Sequence, residues 1–389
     1  MYNLFWSKQR FVVPLLSLLI LSACDDPSPI GLNLVDSQSG DTQVTEFAPS
    51  FAGHSNFGDV TGGTNITGAV RTLFGTVSDP VVGPFSMTGY MDFINSSNVS
   101  SEFRAAAVSF ADLELNLDYI YGDTLNPVTL DIYEIGADWI SESGRADSFL
   151  DAQSLVTSTT VMPEKGVFHI PLPSTWISGK DAVLRSTTFV DEFHGFALRA
   201  SQGSAVLGVH FSGSSLRASS VPGDTVNFSL SKVLSASSFV SDAANPEYLS
   251  LRDGAAETIS LRFPFESKDF GEAAFHRVII RLNSADVSSL YPVGFERSNP
   301  IAVGLRAVAV DETTRLNIIV GEIAENGTIS FDSATLANVV QSSNLANSGL
   351  DRFELYFPVE SNTVGIIAFK KGLPATFGPR AVITYTSLN

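Results

Sequence analysis

Residues 111–119 read ADLELNLDY. In an extended chain Leu113, Leu115 and Leu117 fall on one side, and Asp112, Glu114, Asn116 and Asp118 on the other. A strict two-residue period of this kind marks a half-buried β-strand, since an amphipathic helix repeats its apolar positions every three or four residues. The alternation recurs after a turn-forming stretch, where Val128, Leu130 and Ile132 point inward and leave Asp131 and Tyr133 outward. Upstream, Tyr90 and Asp92 are the outward positions of a third run. If these strands were neighbours, they would build one acidic face carrying two tyrosines.

The remainder of the chain follows the same grammar. Strand runs are expected at Phe85–Phe93, Phe110–Tyr119, Val128–Ile135, Val167–Leu172, Gly195–Arg199 and Ala205–Phe211, with Gly, Pro, Asn, Asp and Ser between them. Helical periodicity is confined to short pieces such as Ser333–Ser342. Many short strands separated by turn signals indicate an all-β chain of antiparallel sandwiches with jelly-roll-like connections.

The strand order repeats. Gly83–Phe93 resembles Ala255–Phe265, Val108–Leu117 resembles Ala273–Leu282, and Pro127–Ile135 resembles Pro300–Val308. Val167–Pro173 then pairs with Arg352–Pro358, His194–Arg199 with Val364–Phe369, and Val206–Ser212 with Arg380–Thr386. The expectation is two tandem β-sandwich domains, residues 47–220 and 221–389, divided near the SVPGD stretch at 220–224.

The first residues carry a different signal. Lys8 and Arg10 precede an apolar run from Phe11 to Leu21, too short for a stop-transfer helix, and then Leu21-Ser-Ala-Cys24 matches a lipobox. Residues 1–23 therefore read as a lipoprotein signal peptide and Cys24 as the lipidated residue of the mature chain. Cys24 is the single cysteine, so no disulfide can form within the chain and its core must stabilise it alone. Residues 24–46 are acidic and rich in turn formers, and read as a flexible tether. Loss of the leader moves the net charge from −18 to −20, which argues against nucleic acid and against electrostatic adhesion to anionic lipid. Membrane attachment then falls to the acyl chains.

Four motifs carry a resemblance. C-D-D…I-G-L (Cys24–Leu32), L-F-G-x-x-x-D-P-V-x-G (Leu73–Gly83), Y-G-D-x-x-x-P-x-x-x-x-x-Y-E (Tyr121–Glu134) and F-x-G-F-A-L-R (Phe193–Arg199) are similar to a family of Bacteroidetes-type lipoproteins built on domain of unknown function 4270. The PVTLDIYEI strand with Trp139 after it, and the closing PRAVITYT, also look like the jelly-roll modules of secreted carbohydrate-binding-like proteins. The resemblance covers roughly residues 20–215 and implies a surface lipoprotein, with no activity attached. Asp25 and Asp26 admit two readings: in such organisms early acidic residues accompany export to the cell surface, and in some bacteria an acidic second residue retains a lipoprotein on the inner membrane.

Signatures of catalysis are missing from the sequence. It has no G-x-S-x-G, H-E-x-x-H, P-loop or dinucleotide-binding glycine motif, so no catalytic residue, metal or cofactor is assigned. His169, His194 and His210 are the histidines closest to convergence. Tyr121 and Trp139, with Tyr133, are candidate stacking residues for a sugar ring. Arg262, Arg277, Arg281 and Arg306 are outward positions in the second copy and form a candidate face for an acidic partner. The reading is an outer-membrane lipoprotein facing outside, binding a glycan or an envelope protein. The alternatives are a structural accessory of an outer-membrane assembly and a carboxylate-dependent glycoside hydrolase.

Overall fold

In the computed structural model of the chain, the described residues are 42–48, 50–55, 61–62, 70–95, 99–138, 153–221, 223–239, 245–253, 258–265, 268–309, 314–346, 352–358, 363–371 and 378–388. Cys24 and Trp139 lie outside them. The strands are β1 (Thr42–Phe47), β2 (Ser50–Ser55), β3 (Thr61–Gly62), β4 (Arg71–Asp79), β5 (Gly83–Asn95), β6 (Val108–Asp123), β7 (Val128–Ile135) and β8 (Gln153–Val161). Next come β9 (Gly166–Pro171), β10 (Phe196–Gln202), β11 (Ala205–His210), β12 (Ser215–Ser220), β13 (Thr225–Phe239), β14 (Tyr248–Arg252), β15 (Thr258–Arg262) and β16 (Ala273–Asn283). The last are β17 (Phe295–Glu296), β18 (Ala302–Val308), β19 (Arg315–Glu322), β20 (Thr328–Asp332), β21 (Arg352–Tyr356), β22 (Ile366–Lys370) and β23 (Arg380–Ser387). The helices are α1 (Ser101–Ala105), α2 (Ser174–Arg185), α3 (Phe189–Glu192) and α4 (Ala334–Ala346).

The chain is all-β and its named strands pair antiparallel. Leu113, Leu115 and Leu117 of β6 are buried with Val128, Leu130 and Ile132 of β7 in one core, as the alternation requires. Yet β6 and β7 do not pair with each other. β6 takes β9, β11, β12 and β17 as partners, and β7 takes β8 and β10. The expected shared acidic face is therefore split between separate parts of the sheet. Asp112 is buried beneath a bidentate Arg217 at 2.9 and 2.7 Å, and Asp118 takes a bidentate Arg71.

Strand connectivity is duplicated. In the first lobe β5, β10, β7 and β8 pair in that order, and β9, β6 and β11 form the facing set. In the second, β15, β21, β18 and β19 pair in that order, opposite β20, β16 and β23. A helix covers the same strand in each, α2 on β6 and α4 on β16. Two of the expected equivalences shift: β9 corresponds to β20 rather than β21, and β10 to β21 rather than β22. The correct match is Phe196-Ala-Leu-Arg199 with Phe353-Glu-Leu-Tyr356, whose Phe and Leu are buried in both lobes.

The flanking strands move the domain boundaries. β4 pairs with β11 and β13 with β5, so the first lobe continues past residue 220 to Phe239. Their counterparts in the second lobe are β1 on β23 and β2 on β15. Residues 42–46, read as the end of a tether, thus form an edge strand of the far lobe, and the first lobe is inserted between β2 and β15. Phe47 joins that second core against Phe265 and Phe270.

A third core joins the lobes. Leu73, Val77, Val81, Val82, Phe85, Met87, Tyr119, Tyr121 and Val206 of the first meet Val287, Val364, Ile366 and Ala368 of the second. Two tyrosine hydroxyls buried there are bonded. The Tyr121 hydroxyl donates to Asp79 Oδ2 at 2.6 Å, while Asp79 Oδ1 accepts the Val81 and Val82 amides. Tyr119 accepts the Val364 amide at 2.7 Å and donates to its carbonyl at 3.1 Å, a direct bond between lobes. Two motif glycines serve this region. At Gly75 (φ +138°) and Gly122 (φ +123°) a Cβ would lie 2.1 Å from the Ala205 carbonyl oxygen and 2.4 Å from that of Ser204, so only glycine admits the crossing chain.

Two outcomes follow. Phe47→Ala should destabilise the chain by about 3–5 kcal/mol, the usual cost of emptying a buried Phe site, measured by urea unfolding. A change near zero would place β1 outside the fold. Burial pushes Tyr119 up to about 12, so the native chain keeps a proton that the unfolded chain releases near pH 10. Stability from this group is complete below about pH 10 and falls as pH rises toward 12. Tyr119→Phe should flatten that part of the stability–pH curve.

Candidate functional site

The lobes differ in several connections. β10 meets β11 through Gly203 and Ser204 alone, where β21 reaches β23 only after residues 357–379, which include β22. A second such difference follows β6 and β16 in the two lobes. In the first, β6 turns into β7 through Thr124–Pro127; in the second, β16 reaches β18 only after residues 284–301. A long connection with little regular structure inside a compact body is commonly functional. Asp286 opens it by accepting the Ser288 amide at 2.9 Å, which starts the 3₁₀ turn Ser288–Leu290. That bond and the Ser288 side chain hold the Asp286 carboxyl below its ordinary range, with Arg297 adding a smaller pull.

The loop then crosses to the first lobe. Phe295 sets its ring edge-on to Tyr121 at 5.4 Å and lies tilted against Tyr291 at 4.9 Å. The Gly294 carbonyl accepts both the amide and the hydroxyl of Thr124 at 2.9 and 2.8 Å, and β17 pairs with Asp123 and Gly122. Lys165 closes the contact on Glu296 at 2.6 Å. On its return, Arg297 lies over the Tyr291 ring at 4.7 Å and donates to Asn299 at 3.0 Å.

This clasp walls a cleft of about 600 Å³. One side is Ser284–Ser288 with Arg297 and Asn299–Ile301, the other is the Ile323–Gly327 turn, and the floor is Ile366–Ala368 of β22. The walls are tied at both ends. The Ile323 amide donates to the Ile301 carbonyl at 2.9 Å, and the Ser284 amide to Gly327 at 2.9 Å. Ile301 stands 82% exposed on the rim and Val293, on the same loop, 92%. Arg297, Asp286, Glu325, Asn299 and backbone amides supply polarity, and no aromatic ring is among the lining residues.

The residues singled out from sequence fall elsewhere. Tyr121 is 1% exposed inside the junction core, so it cannot be a sugar platform. Tyr133 is half-buried on the outer face of β7 beneath the Arg199 guanidinium at 5.2 Å. The equivalent place in the second lobe holds the same pair with its roles exchanged, Arg306 over Tyr356 at 5.1 Å. The four arginines do not share a face. Arg262 and Arg306 lie on the sheet of β15, β21 and β18, and Arg277 and Arg281 on the opposite sheet of β16. Arg306 and Arg315 both bond the buried Glu354, at 2.7 and 3.0 Å, and Arg277 pairs with Asp332 of the neighbouring strand. These acidic partners sit in the second lobe itself. The histidines are also apart: His169 bonds Asp112 at 3.1 Å, and His210 bonds Ser212. Among the described residues no three His, Cys, Asp or Glu side chains are grouped to hold a metal.

No family model and no curated protein matches the chain. Among solved structures, one of infectious bursal disease virus Gx strain aligns over 90% of this chain and 75% of its own at 8% identity. Its TM-score is 0.12, too low to carry any argument.

Glu354 separates the two arginine groups experimentally. Glu354→Ala should cost about 2–4 kcal/mol, because it leaves Arg306 and Arg315 facing each other at a nearly closed site. Arg277→Ala, on an exposed pair, should leave the unfolding midpoint unchanged. Equal effects of the two would contradict the placement.

Proposed function

We propose that the protein is a lipid-anchored envelope lipoprotein, facing outside on the outer membrane, that binds a protein partner in the cleft beside residues 284–301. One observation carries the reading: the second lobe elaborates the shared frame in two connections, and these supply one wall and the floor of the same cleft. Its volume falls in the range of ligand-binding clefts, with convergent polar groups on an aliphatic frame. The aliphatic rim of Ile301 suits a polypeptide better than a sugar, which favours an aromatic plate.

The lipid anchor reading rests on Cys24 in its lipobox. From Cys24 to Thr42 an extended chain reaches at most about 60 Å at roughly 3.3–3.6 Å per residue. The tether enters the body at β1, an edge strand of the second lobe.

Two measurements test this. Cys24→Ala should shift the protein from the membrane pellet to the soluble fraction; retention in the pellet would remove the anchor. A photo-crosslinking residue at position 301 should trap an envelope protein in intact cells, and one at Thr160 on β8 should not. Equal trapping at both positions would end the assignment of the cleft.

A further inference from the structure

The floor of the cleft is a strand edge. β22 pairs with β14 on one side, through Leu251 with Ile367 and Leu249 with Phe369, and the Asp253 amide extends that ladder to the Gly365 carbonyl. Backbone groups alternate in direction along a strand, so Gly365, Ile367 and Phe369 face β14 while Ile366 and Ala368 face away. Two contacts hold that far edge. Ser298 bridges Gly365 in parallel sense, and the Ala285 amide donates to the Ala368 carbonyl at 2.7 Å. Neither of these two contacts is a bond to the Ile366 carbonyl or the Ala368 amide, which lie between them. Both residues belong to the cleft floor.

A gap of one carbonyl and one amide on a strand edge has a specific complement. Buried backbone groups are almost always paired, and an extended chain laid alongside offers an amide and a carbonyl at matching spacing. A sugar would answer those two groups without any register. The cleft is bounded lengthwise by the Ile301–Ile323 and Ser284–Gly327 bonds, so the occupant is a short segment and not a full strand. Ile301 at the rim and Pro300 and Ile323 in the walls then meet the apolar side chains that an extended segment presents on every second residue.

We infer that the cleft takes a short extended peptide, which adds to the free edge of β22 between Ser298 and Ala285 and bonds the Ile366 carbonyl and the Ala368 amide. This rests on the cleft being the binding site proposed above. It goes further by fixing the ligand as polypeptide backbone in a defined register.

A random heptapeptide display library panned on the full-length protein tests it. Enriched peptides should slow hydrogen exchange at the Ala368 amide at least tenfold and should lose binding to Ile301→Asp. N-methylation should abolish binding at the one peptide position whose amide meets the Ile366 carbonyl and leave it unchanged at the others. Enriched peptides that leave Ala368 exchange unaltered, or tolerate N-methylation everywhere, would overturn the strand-edge mode. If crosslinking at position 301 still traps an envelope protein in that case, the cleft stands as a site and only the strand-edge mode fails. If neither is seen and a glycan array gives binding that Ile301→Asp removes, the ligand is sugar and this inference is wrong.

Discussion

Tyr119 and Tyr121 are adjacent in face on one strand, and both carry a hydroxyl into a space that water does not reach. Burying a phenol without a partner costs about 1–3 kcal/mol. Tyr121 meets that demand within its own lobe at Asp79, whose other oxygen is bonded by two amides. Tyr119 finds its partner only in the other lobe, at Val364. The first lobe therefore cannot separate from the second without stranding a buried hydroxyl and opening a core of valine, phenylalanine and tyrosine. The cleft depends on the same contact. Residues 284–301 hold their shape because Phe295, Gly294 and Glu296 are fixed on the first lobe, and their return path forms the wall.

The duplication explains why the clasp is informative. Two lobes with equivalent pairing of their central strands, one equivalent helix and an exchanged Tyr–Arg stack share a common frame whose needs are structural. The motif residues that resemble the lipoprotein family serve that frame. Asp79 caps the β4–β5 turn and receives Tyr121; Gly75 and Gly122 let Ser204 and Ala205 cross. None of them lines the cleft. Where one copy departs from the other is where an added role is to be sought, and the second lobe departs both between β16 and β18 and between β21 and β23, the stretch that carries β22.

Much of this frame was legible in the sequence and some was hidden for definable reasons. Alternation assigned Leu113, Leu115, Leu117, Val128, Leu130 and Ile132 to the interior, because side-chain direction follows from the pleat alone. It could not say which strand lies beside which, since period two is the same for every partner. Hence alternation alone does not reveal that β6 and β7 lie apart or that the four arginines divide between two sheets, and it lets VGIIAF take the place of FELY as the counterpart of FALR. The N-terminal strand was hidden because TQVTEF is exposed at most positions, as an edge strand is, and only Phe47 enters a core. Helix α2 was missed because Gly179 interrupts STWISGKDAVLR and just Ile177 and Leu184, two turns apart, are fully buried. The cleft had no signal at all, being built by a loop whose length matters more than its composition.

Differential scanning calorimetry of the full-length chain bears most directly on the claim that one shared core makes the two lobes a single unit. Cooperative unfolding through that core gives one transition, with a calorimetric enthalpy equal to the van't Hoff enthalpy. Two resolved transitions, each with the enthalpy of about half the chain, would mean that the lobes melt separately and that the clasp and its cleft are not held by their junction.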